Sequence, residues 1–250
     1  MFQYFFESSG TIVNGVGFSH FEMLHLAWLP VFVGFCGLSC YLYKKRSPEK
    51  RKKMRFLYAG LLFLDEAIKI AGLAAFGNYD VSYLPLHLCS INIILIAVHV
   101  IKPSKTLDNF LYSICIPAAI AALLFPTWTK LPLLNFMHIY SFTVHILLAA
   151  YPIMLTAGGD IRPTAKELPK SLLLLMGLAL PVYVVNLLCD TNFMFLMEAG
   201  KGNPLYWFEK AWGSHFLGFP VIMAGVFLVM YFPHIVRCFK KKKAKKVTNV

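Results

Sequence analysis

The chain is expected to be all-α, a polytopic membrane bundle of about seven transmembrane helices, and three observations lead there. Hydrophobic residues make up 58% of its 250 residues and charged residues only 14%, too few polar groups to clothe a soluble domain of that size. Seven apolar stretches each approach the ~20 residues that cross a ~30 Å hydrocarbon core. The basic residues gather in alternate connections between those stretches, as the positive-inside rule requires of a multi-pass chain.

The stretches fall near 20–43, 56–76, 84–101, 108–126, 137–157, 169–189 and 214–236. The first opens on His20, Glu22 and His25. The second carries Asp65, Glu66 and Lys69 in its interior. The third opens as Leu84-Pro85-Leu86-His87, with Pro85 suited to a first helical turn, where a missing N–H costs nothing. The fourth contains Pro117, the fifth His138 and His145. The sixth ends on Asn186 and Asp190, followed by Asn192, and the seventh opens on Ser214 and His215. Links 77–83 and 102–107 are short enough to force antiparallel neighbours. The connection 190–213 is aromatic and rich in Gly and Pro; Trp207, Phe208 and Trp212 suit an interfacial belt or a lid, with 124–136 as the facing rim. The expected organisation is an extracytoplasmic segment 1–19, a seven-helix membrane domain 20–237 and a basic cytoplasmic tail 238–250. Residues 1–19 lack a basic n-region and a small-residue cleavage site, so no secretory signal is expected. No internal repeat is evident, which argues against inverted-repeat transporter folds.

The net charge of +12 reads as topology rather than nucleic-acid binding. Twenty of the 24 Lys and Arg residues fall on one side: Lys44 to Arg55, Lys102 and Lys105, Arg162 to Lys170, and Arg237 to Lys246. Lys130, Lys201 and Lys210 fall on the other, and Lys69 lies within the membrane. This bias gives an outside N-terminus and a cytoplasmic C-terminus, in the cell membrane. The cysteines Cys36, Cys40, Cys89, Cys115 and Cys189 sit in apolar stretches and Cys238 at an edge. With no CxxC and no zinc-module spacing they read as small buried hydrophobes.

Ionisable groups at membrane depth are expensive unless paired or in a wet cavity, and so mark a functional site. Asp65 falls ~14 Å from the inner end of its helix, near the midplane. Asp65 and Lys69 are four apart and share a face, so they are expected to neutralise one another, while Glu66 lies ~100° away and needs another partner. His87 is expected ~5 Å below the outer end of its helix, with Ser90 on its face and Cys89 turned ~200° away, out of reach unless that turn unwinds. His138 and His145 are seven apart on one face, a stripe able to relay protons or to serve as packing histidines. Asn186, Asp190 and His215 share the same outer depth. One pocket between several helices, open to the outer half, accounts for all of them.

Motifs narrow the chemistry. There is no HExxH for a zincin-type protease, no GxSxG elbow and no lysine in the seventh stretch for a retinal Schiff base. Among ligand types, His87, His138, His145 and Asp65 leave a metal site open, but no cofactor is implied.

At Leu84-Pro85-Leu86-His87-Leu88-Cys89-Ser90 the chain resembles the bacterial YwaF group, prokaryotic relatives of transmembrane protein 164. Asp65-Glu66-x-x-Lys69 and Asn186…Thr191-Asn192-Phe193-Met194-Phe195-Leu196 strengthen the likeness, which spans roughly 20–237. The resemblance implies an acyltransferase acting on phospholipids, with membrane lipids as substrates and, in vertebrate relatives, a cysteine that carries the acyl group. That cysteine directly precedes the histidine; here Leu86 stands in its place and Cys89 follows two residues later. On this reading His87 is the general base, Asp65 or Glu66 orients a histidine, and Cys89 and Ser90 are candidate nucleophiles. Asn186 and Asn192 donate to an oxyanion or phosphate. Lys69, His138, His145, Asp190 and His215 complete the substrate pocket. The rival reading is a small proton-coupled transporter or channel using the line Asp65/Lys69/His145. It predicts polar groups continuing to the cytoplasmic side, and few are there.

Overall fold

A computed structural model describes residues 4–200 and 202–247, with side chains as far as residue 232. Lys201, the side chains of the basic tail, Cys238 and the end of segment 238–250 therefore lie outside the described residues. Everything regular in the described chain is helical. Six helical stretches are long and apolar enough to cross a membrane: Met23–Lys45, Val81–Ile101, Lys105–Leu124, Phe136–Gly158, Ala165–Cys189 and His215–Phe232. The chain is a multi-pass membrane protein. The remaining expected segment, within α2 (Pro48–Ala75, 28 residues), is ~42 Å long but holds Asp65, Glu66 and Lys69 in its apolar part.

The last helix runs on to Val247, past the expected end at 236, and three other departures from the sequence expectation have local reasons. Helix α2 starts at Pro48, eight residues before 56, so the basic run Lys50–Arg55 is helical rather than loop. Pro48 is preorganised for a first helical position. Arg51, one turn in, covers carbonyls at the end of α1 (Met23–Lys45): its Nε donates to Tyr43 O at 3.0 Å and its Nη2 to Lys44 O at 3.2 Å. Carbonyls of a last helical turn lack the full set of intrahelical donors, and the arginine supplies further ones. Helix α3 (Leu88–Ile101) begins at Leu88, not 84. Pro85 disfavours helical backbone in the residue before it, and Leu84 is extended at φ −54°, ψ 144°. A 3-10 turn over Val81–Tyr83 precedes it, and His87 is left as the extended N-cap of α3. The fourth segment runs as α4 (Lys105–Phe110), a π-helical turn Leu111–Cys115 and α5 (Ile116–Leu124). Pro117 has no N–H to return to Ser113, and the wider turn lets the helical path continue past it.

Helix α6 (Phe136–Gly158) occupies the centre, packed against α1, α2, α3 and α5. The outer helices turn apolar surfaces outward: on α7 (Leu168–Cys189), which packs on α4, Leu173, Met176 and Leu188 are 71%, 63% and 80% exposed. Leucine and methionine left this bare would each forfeit roughly 1.5–3 kcal/mol of burial in water; in lipid the loss vanishes. The connection 190–213 contains a short helix, α8 (Pro204–Trp212), that buries Leu205 and turns Trp207 and Trp212 outward. Helix α9 (Gly218–Val247) follows a 3-10 turn over His215–Leu217.

The N-terminal segment does not trail free. Phe136 N donates to Phe5 O at 2.9 Å, Asn78 Nδ2 to Phe6 O at 2.7 Å, and Phe18 N to Thr129 O at 2.8 Å. Gly17 passes so close to residues 129–130 that a Cβ there would sit 2.0 Å from Thr129 O. Asn135 joins the two parts. Its Oδ1 caps α6 by accepting from Met137 N and His138 N, and its Nδ2 donates to Tyr4 O and Glu7 O at 2.7 and 2.8 Å. Asn135→Ala is expected to lower unfolding stability in detergent by about 2 kcal/mol, one cap plus two buried bonds. It should also make residues 4–18 protease-sensitive; a variant as stable and resistant as wild type would show the segment to be held by other contacts.

Candidate functional site

Away from the basic end, a cavity of about 460 Å³ opens between α2, α3, α5 and α6. Its polar wall is Lys69, His87, Cys89, Ser90, Tyr140 and His145. Its apolar wall includes Ala118, Ala121 and Ala122 of α5 with Leu131 and Val144. Ser9 of the N-terminal segment and Phe195, Asn203 and Pro204 of the 190–213 connection form its rim.

The charged groups come from the buried stripe of α2, Met54, Tyr58, Leu62, Glu66, Lys69 and Leu73, whose spacing of three and four keeps one face toward α6. Lys69 pairs with Glu66 at 2.6 Å, one turn apart, rather than with Asp65. Asp65 lies one residue off the stripe and accepts from Thr143 Oγ1 at 3.0 Å. The neighbouring helix decides the pairing: Tyr140 of α6 donates to the other Glu66 oxygen, and Lys69 also donates to Tyr83 O at 3.4 Å. An ammonium has three donors, so the two acceptors leave one for the cavity.

The two cavity histidines are oriented oppositely. His145 Nδ1 lies 2.6 Å from Ser141 O, a carbonyl that can only accept. In the neutral ring the proton therefore sits on Nδ1 and the lone pair on Nε2. Trp128 lies flat on this ring, 5.3 Å between centroids and 13° between planes, which fixes its tilt. Trp128 Nε1 is itself buried without a partner among the described residues. His87 Nδ1 instead accepts from Met194 N at 3.3 Å, so the neutral ring carries its proton on Nε2. Because His87 precedes the helix, the expected face-sharing with Ser90 and opposition to Cys89 do not apply; His87, Cys89 and Ser90 line the same cavity.

The Met194 N–H is delivered by an unusual loop. Asn186 is buried and clamps it: Nδ2 donates to Phe193 O, while Oδ1 accepts from Phe193 N and Thr191 Oγ1. Asn192 binds Met197 N, Glu198 N and Glu198 O in the same way. Asp190, Met194 and Phe195 take positive φ of 53°, 58° and 56°, a conformation costing of order 1–3 kcal/mol per non-glycine residue. Asn186, Asp190 and Asn192 thus shape the loop behind His87 and do not line the cavity.

Two more expected pocket residues lie elsewhere. His138 is fully buried, with Nδ1 3.0 Å from Leu131 O and Nε2 accepting from Trp28 Nε1 at 3.1 Å; it fastens α6 to α1 and does not share a stripe of free nitrogens with His145. His215 faces Glu209 of α8 at 3.8 Å. Among the described residues no three His, Cys, Asp or Glu side chains are placed to hold a metal ion, the His87/His138/His145/Asp65 set left open above included. Tyr140, Trp128 and Thr143 were not singled out by sequence. The signal for Tyr140 was Glu66, a buried carboxylate in search of a second donor.

A model of the TMEM164 family matches residues 16–231. No curated protein and no solved structure matches the chain.

The ion pair sets a stability prediction. Lys69→Met strands Glu66 in the bundle and is expected to cost roughly 3–5 kcal/mol. Adding Glu66→Gln should recover most of it, as measured by unfolding in detergent; equal losses in the single and double variants would show that packing, not charge, holds this site.

Proposed function

The chain belongs to the TMEM164 family, and from that premise we propose that it is an integral membrane acyltransferase moving a fatty acyl group between phospholipids and lysophospholipids. The observation that carries the reading is His145: its Nδ1 proton is committed to a backbone carbonyl, and its Nε2 lone pair is free in a cavity that also holds a thiol, Cys89. That is the polarity a general base needs.

We assign the base to His145 rather than to His87. Cys89 gives its proton to His145 Nε2, and the thiolate attacks the acyl carbonyl of the donor lipid. His87, with its proton on Nε2, donates to the oxyanion. Collapse breaks the ester C–O bond, and the proton on His145 passes to the leaving lysolipid oxygen. In the second half the acceptor's hydroxyl gives its proton to His145 and attacks the thioester, and the returning proton restores the Cys89 thiol. The third donor of Lys69 suits a headgroup phosphate, with Glu66 and Tyr140 holding the ammonium in place. The apolar wall of α5 suits the acyl chain, and the cavity faces the outer leaflet if the basic end is cytoplasmic.

A conduit is less well supported. Ile93 and Ile96 on α3 and Leu148 and Ala149 on α6, each no more than 1% exposed, lie along their helices between this cavity and the basic end. Asp65 is bonded to Thr143 and Lys69 to Glu66, so the two do not form the line a relay would use.

Liposomes containing the protein, a phospholipid donor and isotopically labelled lysophospholipid are expected to yield labelled diacyl product by mass spectrometry. His145→Ala and Cys89→Ala should each lose at least about 100-fold, His87→Ala about 10- to 100-fold, and Ser90→Ala less than 10-fold. Labelled product absent with every donor, from protein shown to be folded, would overturn the acyltransferase reading; full activity in Cys89→Ala would replace the thioester by direct transfer to the lysolipid hydroxyl.

A further inference from the structure

A second cavity, of about 390 Å³, lies at the basic end, lined by Pro48, Arg51, Arg55, His99, Asp108 and Asp160 among others. Nearly every charged group in its wall already has a protein partner. Arg51 binds Asp160 at 3.1 Å and also Gly158 O, Tyr43 O and Lys44 O. The other Asp160 oxygen accepts from Tyr43 at 2.5 Å. His99 spans Asp108 at 2.8 Å and Tyr151 at 2.8 Å. Both carboxylates are thus met by donors from the protein.

Arg55 is the exception. No hydrogen bond or ion pair joins it to a described residue, and its Nε is buried without an acceptor. A guanidinium offers five donors in a rigid fork that matches the oxygens of a phosphate, and a buried donor without an acceptor is costly to keep. Its position on α2 narrows the ligand further. Before it runs the charged stretch Lys50-Arg51-Lys52-Lys53, and directly after it Phe56 and Leu57 are 48% and 58% exposed. Arg55 therefore sits where the helix passes from polar surroundings into lipid, the depth of phospholipid headgroups.

We propose that this cavity is a phosphate-binding site, taking the headgroup phosphate of an anionic phospholipid or free inorganic phosphate on the Arg55 guanidinium. It is independent of the acyl-transfer cavity and of the reading given to it. Because Arg55 holds no described protein group, Arg55→Gln removes the site without removing a structural bond. The full chain, purified in detergent, would be given phosphatidylglycerol, phosphatidylcholine or sodium phosphate, and followed by native mass spectrometry and thermal unfolding. Wild type is expected to retain phosphatidylglycerol at least 10-fold better than Arg55→Gln, and to melt higher with it than with phosphatidylcholine. A rise in melting temperature with phosphate equal to that with lipid identifies the free anion as sufficient. The control is Lys52→Gln/Lys53→Gln, which removes more charge from the same helix outside the cavity and should bind as wild type does. Equal loss in that control, or equal retention by wild type and Arg55→Gln with no effect of phosphate, would overturn the site.

Discussion

Helix α6 meets neither lipid nor water along most of its length, and every polar atom it carries must find a protein partner or a cavity. From this one constraint much of the molecule follows. Tyr140 needs an acceptor and takes Glu66, which in turn draws Lys69 into the bundle on the same face of α2. His138 needs two partners and finds them on Leu131 and Trp28. Tyr151 finds His99. His145 alone keeps one nitrogen without a protein partner, and that nitrogen belongs to a residue lining the larger cavity. A buried pair such as Glu66–Lys69 gains little over an apolar one; what it provides is a Lys69 head held in one place beside the cavity.

The division between scaffold and site was only half legible in the sequence. The apolar stretches were readable because lipid imposes a length and a composition, and α6 came within one residue at each end. The start of α2 was not, because a run of lysines and arginines reads as a loop in composition although it is helix-compatible, and only the carbonyls at the end of α1 show what Arg51 does there. The DExxK element named the right three side chains but the wrong pair. Helix arithmetic allows Lys69 either carboxylate; the tyrosine on the facing helix settles it.

The histidines teach the same lesson more sharply. They were read as costly at that depth, but their partners were not legible: His25 Nε2 lies 2.7 Å from Leu123 O, distant in sequence, whereas His145 turns to Ser141 O one helical turn back. Cys89 and His87 were held apart by assuming a regular helix through residue 84. The proline that ends that assumption was visible, but it was read as a helix starter rather than as the reason Leu84 is extended. Asn186 and Asn192 were read as ligand donors, whereas here they bind nearby backbone, the usual partner of a side-chain amide, and hold an energetically costly loop.

The anchoring of residues 4–18 has a consequence for how the chain is made. Tyr4 and Glu7 are translated well before the side chain that holds them, Asn135, which follows 131 and 128 residues later. At ~5–20 residues per second, several seconds of synthesis separate the strap from its buckle. Throughout that interval α2, α3 and α5, which wall the larger cavity, are made with its rim incomplete, and the segment can take its place only after α6 has begun to appear.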